Sequence, residues 1–258
     1  MPGRQCLIMM YNTDVSMRLD RLLTTLALGS RTQVRHIIKS GRISVNGKQI
    51  TSPEIHTKIG DLIMLDGKTL DARTVRHVML YKPRGVLTAA KDRYQKTVLD
   101  LLPPLYASCG CMPAGRLDKD TEGLLLLTTD GELCHRLLSP ERHVWKHYIA
   151  EVDGPLTEEH IELFQNGIIL SDFTAKPARM EIIHSGADGS AASVWIREGK
   201  YHQVRRMFEA AGRTVTSLKR LSFGPLLLDE SLSPGMYREL TDSELSALQR
   251  SACREESE

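Results

Sequence analysis

Leucines at positions 19, 22, 23 and 26 follow helical spacing, which predicts an amphipathic helix over residues 18–28 closed by Gly29. Ser30 and Gln33 have the spacing of a capping box and start a second helix that ends before Gly41. On this helix Val34, Ile37 and Ile38 face a core, while Arg31, Arg35 and Lys39 recur every four residues as one basic stripe. Ile43 and Val45 alternate with polar residues up to Asn46-Gly47, a strong hairpin signal, and residues 59–65 predict another strand pair broken at Gly60-Asp61. Residues 67–76 are polar and aperiodic and read as a linker.

A larger body begins at His77. Residues 78–81 predict a strand ended by the turn Lys82-Pro83-Arg84-Gly85, followed by a turn-rich stretch over 92–105 with a short helix near 98–102. Leu124, Leu125, Leu126 and Leu127 form an unbroken apolar run before Thr128-Thr129-Asp130-Gly131, the pattern of a strand covered on both faces. A helix over 132–138 stops at Ser139-Pro140, and in the strand at 146–152 Tyr148, Ala150 and Val152 share a face. Thr157 caps a helix that Gly167 ends, and strands follow at 168–170, 178–183 and 192–197. The helix over 202–211 buries Val204, Met207 and Phe208 and stops at Gly212, with Arg205 on the opposite side. Strands at 215–221 and 226–228 and a helix begun by Thr241 and Glu244 complete the pattern. Residues 1–16 have no periodicity and read as a disordered leader, which makes Met17 a plausible true start, and 251–258 read as a flexible tail.

Composition is that of a globular chain, 41% hydrophobic and 26% charged in 258 residues. No run approaches the roughly 18 apolar residues of a membrane span, and Cys6 to Met10 is too short for a signal-peptide core, so a cytoplasmic protein is expected. Five scattered cysteines fit reduced thiols. The net charge of +2 hides an asymmetry: residues 17–76 carry eleven Lys and Arg against five Asp and Glu, +6, and residues 77–258 carry −4. A basic module on a near-neutral body suits docking to a nucleic-acid backbone.

The candidate chemistry lies in GRLDKDTEGLLLLTTDG, residues 115–131, where a polar loop bearing Arg116, Asp118, Asp120 and Glu122 feeds straight into the apolar run. A rigid buried strand fixes such a loop in place, which suits a catalytic carboxylate. This string resembles the signature loop of RNA pseudouridine synthases, in particular the RsuA branch that modifies ribosomal RNA, and the resemblance places the catalytic Asp at Asp118. Lys82-Pro83-Arg84-Gly85 is similar to that family's first motif. The Lys-x-Tyr segment at 146–148 puts Tyr148 where the family holds a Tyr against the target base. The Arg of His-Gln-Val-Arg, which pairs with the catalytic Asp in the family, falls on Arg205. Residues 17–66 resemble the alpha-L RNA-binding module first seen in a small-subunit ribosomal protein, which makes Arg31, Arg35, Lys39, Arg42 and Lys48 candidate RNA contacts, and Arg116 of the signature loop is a further candidate.

The resemblance implies an α+β chain: an RNA-binding module over 17–66, a linker over 67–76, and a catalytic domain over 77–250 on a mixed, mostly antiparallel sheet. The implied reaction turns a specific uridine of 16S rRNA into pseudouridine. The glycosidic C–N bond breaks, the uracil turns, and C5 joins C1′, with no net oxidation and no cofactor. One ionised carboxylate serves by attack on C6, by attack on C1′, or by taking the C2′ proton. The expected partner is 16S rRNA or a small-subunit assembly intermediate, without membrane or DNA, and the chain is expected to act as a monomer. Thr-x-Lys-Pro-Ala at 174–178 and Leu-Asp-x-x-Leu-x-Pro-Gly-x-Tyr-Arg at 228–238 look like the small-subunit type. A sister enzyme acting on 23S rRNA and a non-catalytic assembly protein are the alternatives. Cys109, Cys111, Cys134, His135, His143 and His147 lack paired metal-ligand spacing, and no metal is expected.

Overall fold

The structure, a computed structural model, describes residues 16–253. The expected leader therefore lies outside the described residues except for Ser16, which is in a strand. The chain forms two compact units, one taking in the chain up to Arg76 together with Leu102–Cys111, the other His77–Leu101 and the chain from Met112 onward. The larger body read from the sequence as continuous from residue 77 thus gives up Leu102–Cys111 to the first unit.

In the first unit β1 (Ser16–Arg18) leads into α1 (Leu19–Thr25) and α2 (Arg31–Lys39). α1 stops three residues earlier than its apolar spacing predicts, because Ala27 takes a left-handed φ of 59° ahead of Gly29. The capping box forms as expected: Gln33 N–H donates to Ser30 Oγ, and Ser30 N–H to Gln33 Oε1. β2 (Ile43–Val45) and β3 (Lys48–Ile50) make the hairpin, with both Asn46 and Gly47 at positive φ, as a type I′ turn requires. The strand pair expected over 59–65 does not form. β4 (His56–Lys58) pairs with β1, whereas β5 (Ile63–Leu65) pairs with β2, so the strands flanking Gly60-Asp61 belong to different sheets. The stretch read as linker begins with β6 (Lys68–Thr69), turned back on β5 by Asp66-Gly67, again both at positive φ. Leu19, Leu23, Val34, Ile38 and Ile43 are wholly buried in one core, and Leu105 of α3 (Pro104–Ser108) packs against it.

The second unit is built on β7 (His77–Lys82), β8 (Met112–Pro113), β9 (Glu122–Thr128), β10 (Lys146–Val152), β11 (Arg179–His184), β12 (Ser190–Ile196), β13 (Val215–Phe223), β14 (Leu226–Leu227) and β15 (Tyr237–Glu239). They form one sheet in the order β11-β12-β10-β13-β9-β7-β15, with β8 on β9 and β14 on β13, and only β13 and β9 run parallel. The helices are α4 (Gly131–Leu138), α5 (Glu158–Asn166), α6 (Gln203–Ala210) and α7 (Asp242–Cys253). Residues 168–170 make no strand: Ile169 forms a single bridge with Thr174 and is 80% exposed, so no neighbour extends the pairing. Of the tail expected over 251–258, residues 251–253 are still helical and the rest lies outside the described residues; Ala252 and Leu248 of α7 are buried against Leu133 and Leu137 of α4 and Leu124 and Leu126 of β9. Leu124 to Leu127 are all wholly buried, as their apolar run predicts. At about 1.5–3 kcal/mol for each buried leucine, β9 is firmly anchored.

Candidate active site

Asp118 lies on the loop between β8 and β9, six residues before the first of the buried leucines. Its own carbonyl accepts from Thr121 N–H at 3.1 Å, closing a turn. The rest of the loop is held from β7 and the turn after it. Lys82 Nζ donates to the carbonyls of Lys119 (3.1 Å), Thr121 (2.9 Å) and Pro83 (3.0 Å). Gly85 N–H donates to Lys119 O at 2.8 Å, and Thr88 Oγ donates to Leu117 O at 2.6 Å while accepting from Leu117 N–H. The Lys-Pro-x-Gly segment, which by itself spells only a turn, is thus the cradle of the acidic loop.

Lys82 is wholly buried. Burial pulls its ammonium down to about 8, and the carboxylates of Asp118, Asp120 and Glu122 oppose that shift. Strand register puts Lys82 opposite Gly123, Gly123 opposite Arg220, Arg220 opposite Tyr148 and Tyr148 opposite Val194. Residues paired in this way project from the same face. One row across the sheet therefore carries two buried cations and the buried Tyr148 beside the end of the Asp118 loop. Arg220 Nε donates to Leu124 O at 2.8 Å where β9 parts from β13, and its Nη2 is buried without a hydrogen-bond partner. Lys146, two residues before Tyr148, is pushed down to about 8 by burial and by the neighbouring Arg220 guanidinium.

The Asp118 side chain is 32% exposed, open enough to meet a substrate. His202 Nε2 stands 3.6 Å from Asp118 Oδ1, an ion pair only when the ring is protonated. His202 takes a left-handed φ of 48° at the start of α6 and stacks on Tyr201 at 4.0 Å. Arg205 leaves α6 on the side away from the buried Val204, Met207 and Phe208, as expected. Its guanidinium reaches the acidic loop but not the Asp118 carboxylate. Nη1 donates to Val215 O at 3.1 Å and Nη2 to Asp120 O at 3.4 Å, because the loop turns a carbonyl toward α6 while Asp118 faces His202. Arg206 is bound to Asp172 and Ser171. Arg116 is exposed on the same loop.

Sequence reasoning missed Lys82, His202 and Arg220. The Lys of Lys-Pro-x-Gly and the His of His-Gln-Val-Arg stand inside recognised motifs, so a signal existed for those two. For Arg220 there was none, since an Arg within a strand reads as an exposed position.

In the first unit Arg31, Lys39 and Lys48 are exposed and have no ion-pair partner among the described residues, whereas Arg35 meets Asp20 at 3.4 Å and Arg42 is paired with Asp66. Arg18, Arg21, Arg31 and Arg35 line one open groove together with Asp20. Among the described residues no three His, Cys, Asp or Glu side chains are grouped to hold a metal ion, and no helix is long and apolar enough to cross a membrane.

Residues 76–210 match the family model for RNA pseudouridylate synthases, and residues 17–63 match the S4 domain. The chain is 43% identical to an uncharacterized RNA pseudouridine synthase of Bacillus subtilis, over 90% of this chain and 98% of that protein. It is 36% identical to the ribosomal small subunit pseudouridine synthase A of Vibrio parahaemolyticus, over 90% and 99%. It is also 37% identical to the ribosomal large subunit pseudouridine synthase B of Pseudomonas aeruginosa, over 92% of this chain and 63% of that longer protein. A crystal structure of a pseudouridylate synthase superposes with a TM-score of 0.63 at 34% identity, covering 90% of this chain and 99% of that one. With the acidic loop seated on a buried strand and these likenesses spanning both units, the chain belongs to the RNA pseudouridine synthase family, as an rRNA-modifying isomerase with an N-terminal S4 domain.

Proposed function

We propose that this enzyme isomerises one uridine of 16S rRNA to pseudouridine, without a cofactor, with Asp118 as the catalytic carboxylate. The observation that carries the assignment to Asp118 is the loop itself: Lys82, Gly85 and Thr88 fix its backbone, and the Asp118 side chain remains accessible. Preorganised backbone is what a single reacting carboxylate needs, since misplacement by about 1 Å costs on the order of a hundredfold in rate. The target base is extruded from its stack and lies against Tyr148. Arg205 keeps the loop aimed through the Asp120 carbonyl. The exposed Arg31, Lys39, Lys48 and Arg116, with Arg35 and Arg42 released from their acidic partners, meet RNA phosphates.

The small-subunit choice is supported by the segments at 174–178 and 228–238 and by relatives such as the Vibrio enzyme, matched over 99% of its length. The large-subunit relative is of similar identity but is matched over only 63% of its length. Mapping pseudouridines in 16S and 23S rRNA from cells lacking the protein tests the choice. Loss of one modification in 16S rRNA is expected, restored by wild type and not by Asp118→Asn. Loss confined to 23S rRNA would overturn the small-subunit choice, and intact modification in both would overturn the reading altogether.

A further inference from the structure

A cavity of about 390 Å³ opens on the second unit where β10, β12 and β11 end, lined by His143, Trp145, Gln165, Lys176, Arg179 and Arg197. Its volume lies within the roughly 300–1,000 Å³ usual for small-molecule sites. None of its lining residues is acidic, while three are permanent cations. Glu181 pairs with Arg179, and Glu198 accepts from the Lys176 backbone N–H, both from outside the lining.

Trp145 is the unusual member. It is 36% exposed, and the Arg197 guanidinium stands over its ring at 4.3 Å. The other tryptophan, Trp195, is occupied by His147 stacked at 4.2 Å and by Arg179 at 4.8 Å. Lys176 Nζ stands 3.5 Å from His143 Nδ1, so a lysine ammonium, an imidazole and a partly exposed indole converge on one cavity. An aromatic platform beside lysine and arginine is the arrangement that binds an unpaired nucleotide, with its base stacked and its phosphate neutralised.

We propose that this cavity is a subsite for an unpaired nucleotide of the substrate RNA, its base on Trp145 and its phosphate on Lys176 and Arg179. Trp145 directly precedes β10, and Tyr148 lies three residues further along it, about 10 Å at the rise of an extended strand. The odd offset turns the two side chains to opposite faces of the strand, so an RNA that meets both would have to pass the end of the sheet between them. Lys176, Pro177 and Ala178 of the 174–178 segment form one wall. The segment that resembles the small-subunit type would thereby touch the RNA strand itself. The inference rests on RNA as the substrate and on Tyr148 as the base contact, not on the choice of rRNA subunit.

The test uses the full chain carrying Trp195→Phe, which leaves Trp145 as the single tryptophan. It is titrated with an end-labelled single-stranded RNA of about ten nucleotides, so that label anisotropy reports binding independently of indole emission. Saturable quenching of Trp145 that tracks the anisotropy is expected. Lys176→Ala in that background should weaken affinity roughly tenfold and lower the slope of log affinity against log salt by about 0.7. In the otherwise wild-type enzyme Trp145→Ala should raise KM for both 16S and 23S fragments that are turned over, by roughly tenfold, and Trp145→Phe should recover most of it. Indole emission unmoved at RNA saturation would overturn the proposal, as would equal quenching by inorganic phosphate, which would reveal an anion site without stacking. Failure of 16S turnover with Trp145 still quenched would count against the assigned rRNA target while leaving the subsite intact.

Discussion

A Cβ placed on Gly123 would lie 2.2 Å from the carbonyl oxygen of Arg220, and Gly123 has a φ of +108°. The close crossing of β9 and β13, at the end of the Asp118 loop, therefore admits only glycine. Gly123→Ala is expected to destabilise the fold by at least about 2 kcal/mol, combining backbone strain with the overlap, and to abolish turnover even where folded protein is recovered. Chemical denaturation and single-turnover assays on the folded fraction check this. A variant as stable and active as wild type would mean that the two strands part freely.

Asp118→Asn keeps the side-chain shape and removes the charge. Product formation is expected to vanish, while thermal stability and RNA affinity stay near wild type, because the loop is held by backbone carbonyls rather than by this carboxylate. Asp120→Asn, at an exposed position of the same loop, should retain activity. Inactivity of the Asp120 variant beside an active Asp118 variant would transfer the catalytic role to Asp120.

Arg205 spans two carbonyls, Val215 O and Asp120 O, from the two nitrogens of one guanidinium. Lysine offers a single point charge and cannot hold both at this geometry. Arg205→Lys should slow the chemical step by on the order of tenfold to a hundredfold with little change in RNA affinity. Arg206→Lys, which alters an exposed pair with Asp172, should stay within about twofold of wild type. Equal single-turnover rates for the two variants would remove Arg205 from the site.

Lys82 and Lys146 both have folded-state values near 8, below the ordinary lysine value of 10.5. Between about pH 8 and 10 the unfolded chain holds these protons and the folded chain does not, so the folded state gains stability as pH rises through that window. Their joint contribution is expected to be on the order of 1–3 kcal/mol, read as a rising free energy of unfolding in urea. Lys82→Met should remove part of the rise, and also lower stability at pH 7 by leaving three carbonyls without their donor. A flat profile shared by wild type and variant would show that Lys82 is solvated in solution.

Arg31, Lys39 and Lys48 are the cations of the first unit proposed to meet phosphate without first breaking an ion pair. Replacing all three with Gln should reduce the slope of log affinity against log salt by roughly 0.7–0.9 for each phosphate that is no longer neutralised. Charge substitution is a cleaner test than deleting residues 1–76, because Leu105 of α3 packs on that unit's core and would be left exposed. An unchanged slope would place the RNA elsewhere.

Local patterns are legible where the forces are local. The Ser30–Gln33 capping box, the Asn46-Gly47 turn and the four leucines of β9 each contain their own physical cause, since caps and turns are short-range hydrogen bonding and an unbroken apolar run has to be buried on both faces. The acidic loop over 115–122 stood out for the same reason, because a charged motif opening directly onto such a run is a sequence fact, while the choice of Asp118 within it came from the resemblance to the family's signature loop. What the tertiary structure alone decided depends on partners far along the chain. β4 and β5 separate into different sheets because strand pairing is chosen by distant neighbours, β1 and β2. Leu102–Cys111 leaves the body it follows because Leu105 finds its apolar partners in the helices of the first unit. Lys82 changes from a turn residue into the support of the acidic loop only once residues 119 and 121 fold over it. Arg205 likewise meets the backbone of Asp120 rather than the carboxylate of Asp118, because a motif specifies which side chains converge while the path of the intervening loop determines which atoms touch.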